Sequence, residues 1–325
     1  MNWGVSYTLS KQAEFDILAG MTQASMPQTA KEHLYNFARG FCMGAADLVP
    51  GVSGGTMAFI LGIYHHLLDA LHAINLDFLR LLWSLRWREA FRSFPWQFLA
   101  SLGLGIATAI LTLSRPIHWA LAEHPELVWA FFFGLVLASV SVVRKRVFHW
   151  SPLLVFILLM AAALTFYFVG LLPLETPHTP LLIFLSGAIA ICAMILPGIS
   201  GAFILVLLGK YRYILGALIR LDLIIILTFG AGCVIGLLSF SRLLRWLIAR
   251  FHDPTIAALT GLMIGSLRKV WPWQAALSEG STLTTLILPQ TLTLYDGLAL
   301  FLMISGFLLV WSIDKVTTHR ALEKK

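Results

Sequence analysis

An apolar stretch that should be one membrane helix is broken in its middle. From about Phe37 to Leu71 the chain is hydrophobic, yet it contains Asp47-Leu48-Val49-Pro50-Gly51-Val52-Ser53-Gly54-Gly55-Thr56. Pro50 removes a backbone donor and clashes with the preceding turn. The glycines make further helix costly and close backbone approach cheap. In lipid, irregular backbone survives only where protein buries it or where it lines a cavity, so such a break points to a binding site. The break also occurs twice. At an offset of 147, Ile195-Leu196-Pro197-Gly198-Ile199-Ser200-Gly201-Ala202 repeats it, and Gly62 and Tyr64 then pair with Gly209 and Tyr211. Two matching interrupted segments are the mark of an internally duplicated transporter.

The rest of the chain agrees with a membrane setting. Of 325 residues, 58% are hydrophobic and only 12% charged, the profile of a polytopic membrane protein. The net charge of +7 lies between apolar segments, where it orients the protein and meets anionic lipid, so it does not imply nucleic-acid binding. The three cysteines have neither metal nor disulfide spacing, and no cofactor or metal is expected. Residues 1–30 contain no basic start followed by an apolar run and read as an N-terminal cytoplasmic or interfacial arm, taken as 1–34, without a cleavable signal.

Past the first break, about 75–94 carries Arg80, Arg88 and Arg92 with Trp83, Trp87 and Phe91, the pattern of an amphipathic interfacial helix. It either anchors the protein or gathers an anionic lipid at those arginines. Spans follow at roughly 96–113, 127–143 and 152–172, then the second broken segment, about 181–218, and spans at roughly 222–240, 255–267 and 294–313. Ser114, Arg115, Trp119, Gly134 and Ser139 recur as Ser241, Arg242, Trp246, Gly261 and Ser266 at an offset of 127.

If both broken segments turn back without crossing, 17 of the 23 Lys and Arg residues fall inside and 6 outside; if both cross, the split is 11 to 12. The positive-inside rule selects the re-entrant arrangement. Three crossings per half then invert the second half. The expected fold is an all-α membrane protein of two inverted repeats, 35–175 and 176–315, each a re-entrant helical hairpin followed by three transmembrane helices. Both termini, including a tail at 316–325, would be cytoplasmic.

Each turn restarts a helix inside the protein, where free N–H groups favour an anion. Ser53, Gly54, Gly55 and Thr56, with Ser200 and Gly201, are therefore candidates for binding a phosphate. The alternative is a glycine-lined helix crossing with serine caps. Arg115 and Arg242 are candidate partners for the anion, or simply snorkel to the interface. Asp47 is the one acid beside a break. It would carry a coupling proton or cation, or be satisfied by nearby amides or Arg39. Tyr64 and Tyr211 read as belt or packing aromatics.

The paired motifs, Gly44-Ala45-Ala46-Asp47 through Thr56 and Leu196 through Gly201, resemble the bacterial polyprenyl-phosphate transporter family, long classed as a domain of unknown function. The resemblance covers roughly 35–315. It implies a cytoplasmic-membrane protein that returns undecaprenyl phosphate from the outer to the inner leaflet, for reuse in peptidoglycan and other envelope polymers. Two other readings stay open. Undecaprenyl-diphosphate phosphatases share a Pro-Gly-x-Ser turn, but theirs continues with an arginine where this chain has Gly54 and Gly201, and they carry paired glutamates that are missing here. A small-anion transporter on the same scaffold is the third reading.

Overall fold

The computed structural model describes residues 30–49, 52–73, 78, 80, 83–171, 176–276, 284–289 and 293–323. Pro50, Gly51, most of the N-terminal arm, part of the 75–94 segment and the end of the tail lie outside the described residues. The protein is an all-α membrane protein. Its helices are α1 (Ala30–Asp47), α2 (Gly54–Ile60), α3 (Tyr64–His72), α4 (Trp87–Ser93), α5 (Trp96–Glu123), α6 (Pro125–Arg144), α7 (Pro152–Val169), α8 (Pro180–Ile195), α9 (Gly201–Leu207), α10 (Tyr211–Arg220), α11 (Leu223–Arg250), α12 (His252–Ser266) and α13 (Leu294–Glu323). Among the described residues, α5, α6, α7, α11 and the Leu294–Lys315 part of α13 are long and apolar enough to cross a membrane. Their many exposed leucines and phenylalanines, such as Leu153, Phe156 and Leu159 on α7, are a lipid-facing surface rather than a solubility fault.

The element order repeats itself. Helices α1, α2, α3, α5, α6 and α7 correspond in turn to α8, α9, α10, α11, α12 and α13, and among the described residues α4 and the helical positions 78, 80 and 83 ahead of it have no counterpart. Packing follows the same correspondence. Helix α1 lies on α5 as α8 lies on α11, and α7 lies on α12 as α13 lies on α6. The last two pairs cross between halves, so neither half is a free-standing domain. Small residues make these contacts close. A side chain at Gly40 or Gly187 would meet the backbone of Leu102 or Phe229, and one at Gly134 or Gly261 the backbone of Met303 or Leu158.

Each interrupted segment starts and finishes at the same end of the molecule. His33, early in α1, has Nδ1 2.8 Å from Ser101 Oγ near the start of α5. After the break the chain returns to that place, for the His66 ring on α3 faces Phe98, with ring centroids 6.5 Å apart. Asp69 of α3 pairs with Arg245 at 3.2 Å. In the second segment, Lys210 Nζ donates to the carbonyls of Thr176 and Pro177, 2.6 Å each, just ahead of α8. That contact lies where α7 finishes, at the end opposite Asp69 and Arg245.

Several details differ from expectation. The helix after each break is short: α2 and α9 have seven residues, and a second bend precedes α3 and α10. Helices α9 and α10 meet at 107°. Gly62 and Gly209 sit at these bends with φ of +70° and +65°, a backbone other residues enter at a cost, which explains their repetition. The described part of 75–94 is not one helix: Leu85 has φ +58°, and α4 begins only at Trp87. Arg80 and Arg88 are exposed; the side chain of Arg92 lies outside the described residues. Helices α5 and α11 run well past the expected span ends, so Arg115 and Arg242 lie within 28-residue helices. The last expected loop holds a small antiparallel pair, β1 (Gln274–Ala276) and β2 (Thr284–Leu286).

Candidate functional site

The two breaks meet at the centre of the molecule. The reason begins with the end of α8. A helix leaves its last carbonyls without intrahelical donors, and in a membrane interior water does not serve them. Here the other half of the chain does. Ser53 Oγ donates to the carbonyls of Met194 at 3.0 Å and Leu196 at 3.3 Å. Tyr64 donates its hydroxyl to the carbonyl of Ile195 at 3.2 Å. Gly198 N–H donates to Thr56 Oγ1 at 2.9 Å. Hydroxyls of the first segment thus cap the backbone of the second, and a side chain at Gly55 would stand 2.6 Å from the Ile195 carbonyl oxygen.

The first break is also closed on itself. Ser53 is the N-cap of α2 and accepts from Gly55 N–H at 3.1 Å. Asp47, at the end of α1, accepts from Gly54 N–H at 2.6 Å. Ser53 and Thr56 are buried, as are Gly54 and Gly55. In this arrangement Ser53, Thr56 and the Gly54 and Gly55 amides all have partners within the protein.

The repeat is not symmetric here. Ser200 is the N-cap of α9, but its hydroxyl makes no capping bond. Gly201 packs against the Ala190 carbonyl, and a Cβ there would come within 2.7 Å of it. The structure therefore gathers Asp47, Ser53, Gly54, Gly55 and Thr56 at one junction, with Ser200 and Gly201 on the facing turn. It does not gather the arginines: Arg115 and Arg242 are exposed on the flanks of α5 and α11. Arg39 does not serve Asp47; its guanidinium donates to Asn36 Oδ1 at 3.1 Å.

Two features escaped the sequence reading. Tyr64 is a packing aromatic, one of the two readings, fully buried and stacked on Phe59 with centroids 3.7 Å apart; what the sequence did not show is its hydroxyl bond to the second segment, while its repeat partner Tyr211 is exposed. Cations also sit on the short helices. Arg146 lies 5.6 Å over the Phe59 ring of α2 and donates to the Phe59 carbonyl at 3.2 Å, while Lys269 lies 5.3 Å over Phe203 of α9. Both follow the second long helix of their half. Arg144-Lys145-Arg146 reads in sequence only as inside charge, and the available signal was that shared place after α6 and α12.

A family model described as undecaprenyl phosphate translocase-like matches residues 43–286, which contain both breaks. The chain belongs to this family. A protein of Vibrio cholerae named polyprenyl-phosphate transporter is 48% identical over 247 residues, covering 76% of this chain and 80% of the relative. One of Staphylococcus aureus with the same name is 28% identical over 302 residues, covering 87% and 97%. No solved structure matches.

Proposed function

We propose that this chain transports a polyprenyl phosphate, undecaprenyl phosphate in the first instance, from the outer to the inner leaflet of the bacterial cytoplasmic membrane for reuse in envelope synthesis. The observation that carries the reading is the tip-to-tip junction. Two interrupted segments that start from opposite ends of the molecule meet in its centre and satisfy each other's backbone. That is the layout expected of inverted repeats in which access alternates around one fixed site. The names of the relatives supply the substrate class.

In this reading the head group is held where Ser53, Gly54, Gly55 and Thr56 face Ser200 and Gly201. Arg115 and Arg242, which stand on the flanks of α5 and α11 away from the tips, meet the phosphate only as it enters and leaves, on the outer and inner sides, and both termini are cytoplasmic. Asp47 carries the coupling proton: a phosphate and a carboxylate compete for the Gly54 amide, so protonating Asp47 weakens its hold on that donor. No covalent step is needed. The arm before Pro197 has no acid and Asp47 stands alone before Pro50, which disfavours a diphosphate phosphatase.

The test is leaflet transfer of undecaprenyl phosphate in proteoliposomes, with and without a pH gradient. Transfer that depends on the protein and the gradient is the expected result. Absence of transfer by folded protein overturns the reading, and release of inorganic phosphate from the diphosphate would replace it with the enzyme.

A further inference from the structure

A second feature has the character of an amphiphile site. An apolar groove of about 380 Å³ lies between α11 and α12. That is within the size range of small-molecule sites. Leu196, Phe240 and Leu262 line its inner part, and Phe251 and Pro254 line the part where α11 passes into α12. Leu196 is shared with the tip junction, because its carbonyl accepts from Ser53. One wall of the groove thus belongs to a residue of the tip junction.

Its other end lies near one arginine and two histidines. His252 follows Phe251, and its ring stacks on Phe148 with centroids 4.7 Å apart. Arg146 stands two residues before Phe148. Its guanidinium has five donors, and its bond to the Phe59 carbonyl takes one of them. His65 of α3 lies within electrostatic reach of Arg146, His252 and His66. The acids facing this cluster have other partners. Asp253 accepts from the amides of Phe148 and His149, 3.3 Å each, and lies 2.9 Å from His252 Nδ1. Asp314 accepts from Lys145 at 2.9 Å, though its charge also reaches Arg146.

We propose that the anionic prenyl lipid docks here before or after it passes the tips, with its phosphate on Arg146, His65 and His252 and its first isoprene units in the α11–α12 groove. This rests on the transport reading and adds a station to it. A guanidinium in the loop that packs on the α11–α12 turn, next to the outer end of an apolar groove, fits an amphiphile whose phosphate joins directly to a hydrocarbon chain. Phospholipids place a glycerol ester between the two, and free phosphate gains nothing from the groove.

The test is photo-crosslinking in lipid nanodiscs, with p-benzoylphenylalanine in place of the groove residue Ala258 and undecaprenyl phosphate as probe. The expected result is labelling that excess phosphatidylglycerol or inorganic phosphate does not compete away. It should fall about tenfold in Arg146→Gln, the loss of one charged hydrogen bond, and less in Arg146→Lys. Thermal unfolding of each variant confirms that it is folded. Labelling by phosphatidylglycerol alone, or labelling indifferent to both Arg146 variants, overturns the docking site. Leaflet transfer by the wild-type protein keeps the two readings apart. Transfer without Arg146-dependent labelling sinks the docking site alone; such labelling without transfer supports the site and sinks the transport reading.

Discussion

Ser53 and Ser200 occupy the same place in the repeated motif, yet replacing each with alanine should have very different effects. Ser53 Oγ accepts from Gly55 N–H at 3.1 Å and donates to the carbonyls of Met194 and Leu196 at 3.0 and 3.3 Å. Losing an N-cap costs about 1 kcal/mol. Leaving a buried carbonyl without its donor costs about 1–3 kcal/mol more. The total is about 2–4 kcal/mol. Unfolding entropy of about 2.1 cal/mol/K per residue gives about 0.7 kcal/mol/K for 325 residues, so each kcal/mol moves Tm by about 1.5 °C. Ser53→Ala should therefore lower Tm by about 3–6 °C. Ser200 makes no capping bond, so Ser200→Ala should cost less than about 0.5 kcal/mol and move Tm by less than about 1 °C. The assay is thermal unfolding of the purified protein in detergent, followed by leaflet transfer for both variants. Equal shifts from the two serines, or a Tm unchanged in Ser53→Ala, would refute the claim that the first segment caps the second.

Four further predictions follow from the same contacts. Tyr64→Phe keeps the stack on Phe59 but loses the bond to the Ile195 carbonyl, so it should cost about 1–2 kcal/mol in thermal unfolding, whereas Tyr211→Phe should be neutral. Gly55→Ala places a methyl 2.6 Å from the Ile195 carbonyl oxygen; it should push the tips apart and cost about 1–3 kcal/mol in thermal unfolding, and an unchanged Tm would refute the close approach. Asp47→Asn retains an oxygen to accept from Gly54 N–H, so Tm should hold while transfer loses its response to a pH gradient; an unchanged response assigns Asp47 to structure alone. Arg245→Ala breaks a half-exposed ion pair with Asp69, and Tm should shift by less than about 1 °C.

The sequence makes the frame legible because the frame rests on features with one meaning. Pro-Gly breaks in apolar runs and a constant offset between them each constrain backbone path, and apart from the segment before Trp96 the described helices recur in the same order. What stays hidden depends on which groups meet in space. Gly62 and Gly209 show as a repeated pair, but not that each ends a seven-residue helix. Arg115 and Arg242 look like anion partners because they repeat, yet repetition is equally served by two exposed positions on matching helices. Tyr64 and Tyr211 are identical in type and spacing, and only tertiary packing separates a buried donor from an exposed ring. Arg146 shows as one of three adjacent basic residues, and nothing local marks it as the one lying on Phe59.

The departures from repetition carry the most specific information. At the offset of 147, Asp47 faces Met194, Gly55 faces Ala202 and Thr56 faces Phe203. Each of the first-half residues makes a tip contact: Asp47 to the Gly54 amide, Thr56 to the Gly198 amide, Gly55 to the carbonyls of Met194 and Ile195. Each second-half counterpart is unable to do the same: methionine and phenylalanine offer no comparable polar group, and Ala202 is exposed, away from any such approach. The end of α1 is instead finished within its own turn, where Val49 N–H reaches the Ala46 carbonyl and Val52 N–H the Val49 carbonyl. One hairpin thus supplies hydroxyls and the other supplies backbone, so the two are not interchangeable. In the proposed cycle the halves consequently do not simply trade shapes. The first hairpin acts as the latch and the second as its seat. Replacing Ala202 with glycine and Phe203 with threonine, which restores the repeat, should leave the latch intact and transfer unchanged, whereas replacing Gly55 with alanine and Thr56 with phenylalanine should abolish transfer. Equal loss from the two exchanges would show that the junction is symmetric in function despite its asymmetric bonding.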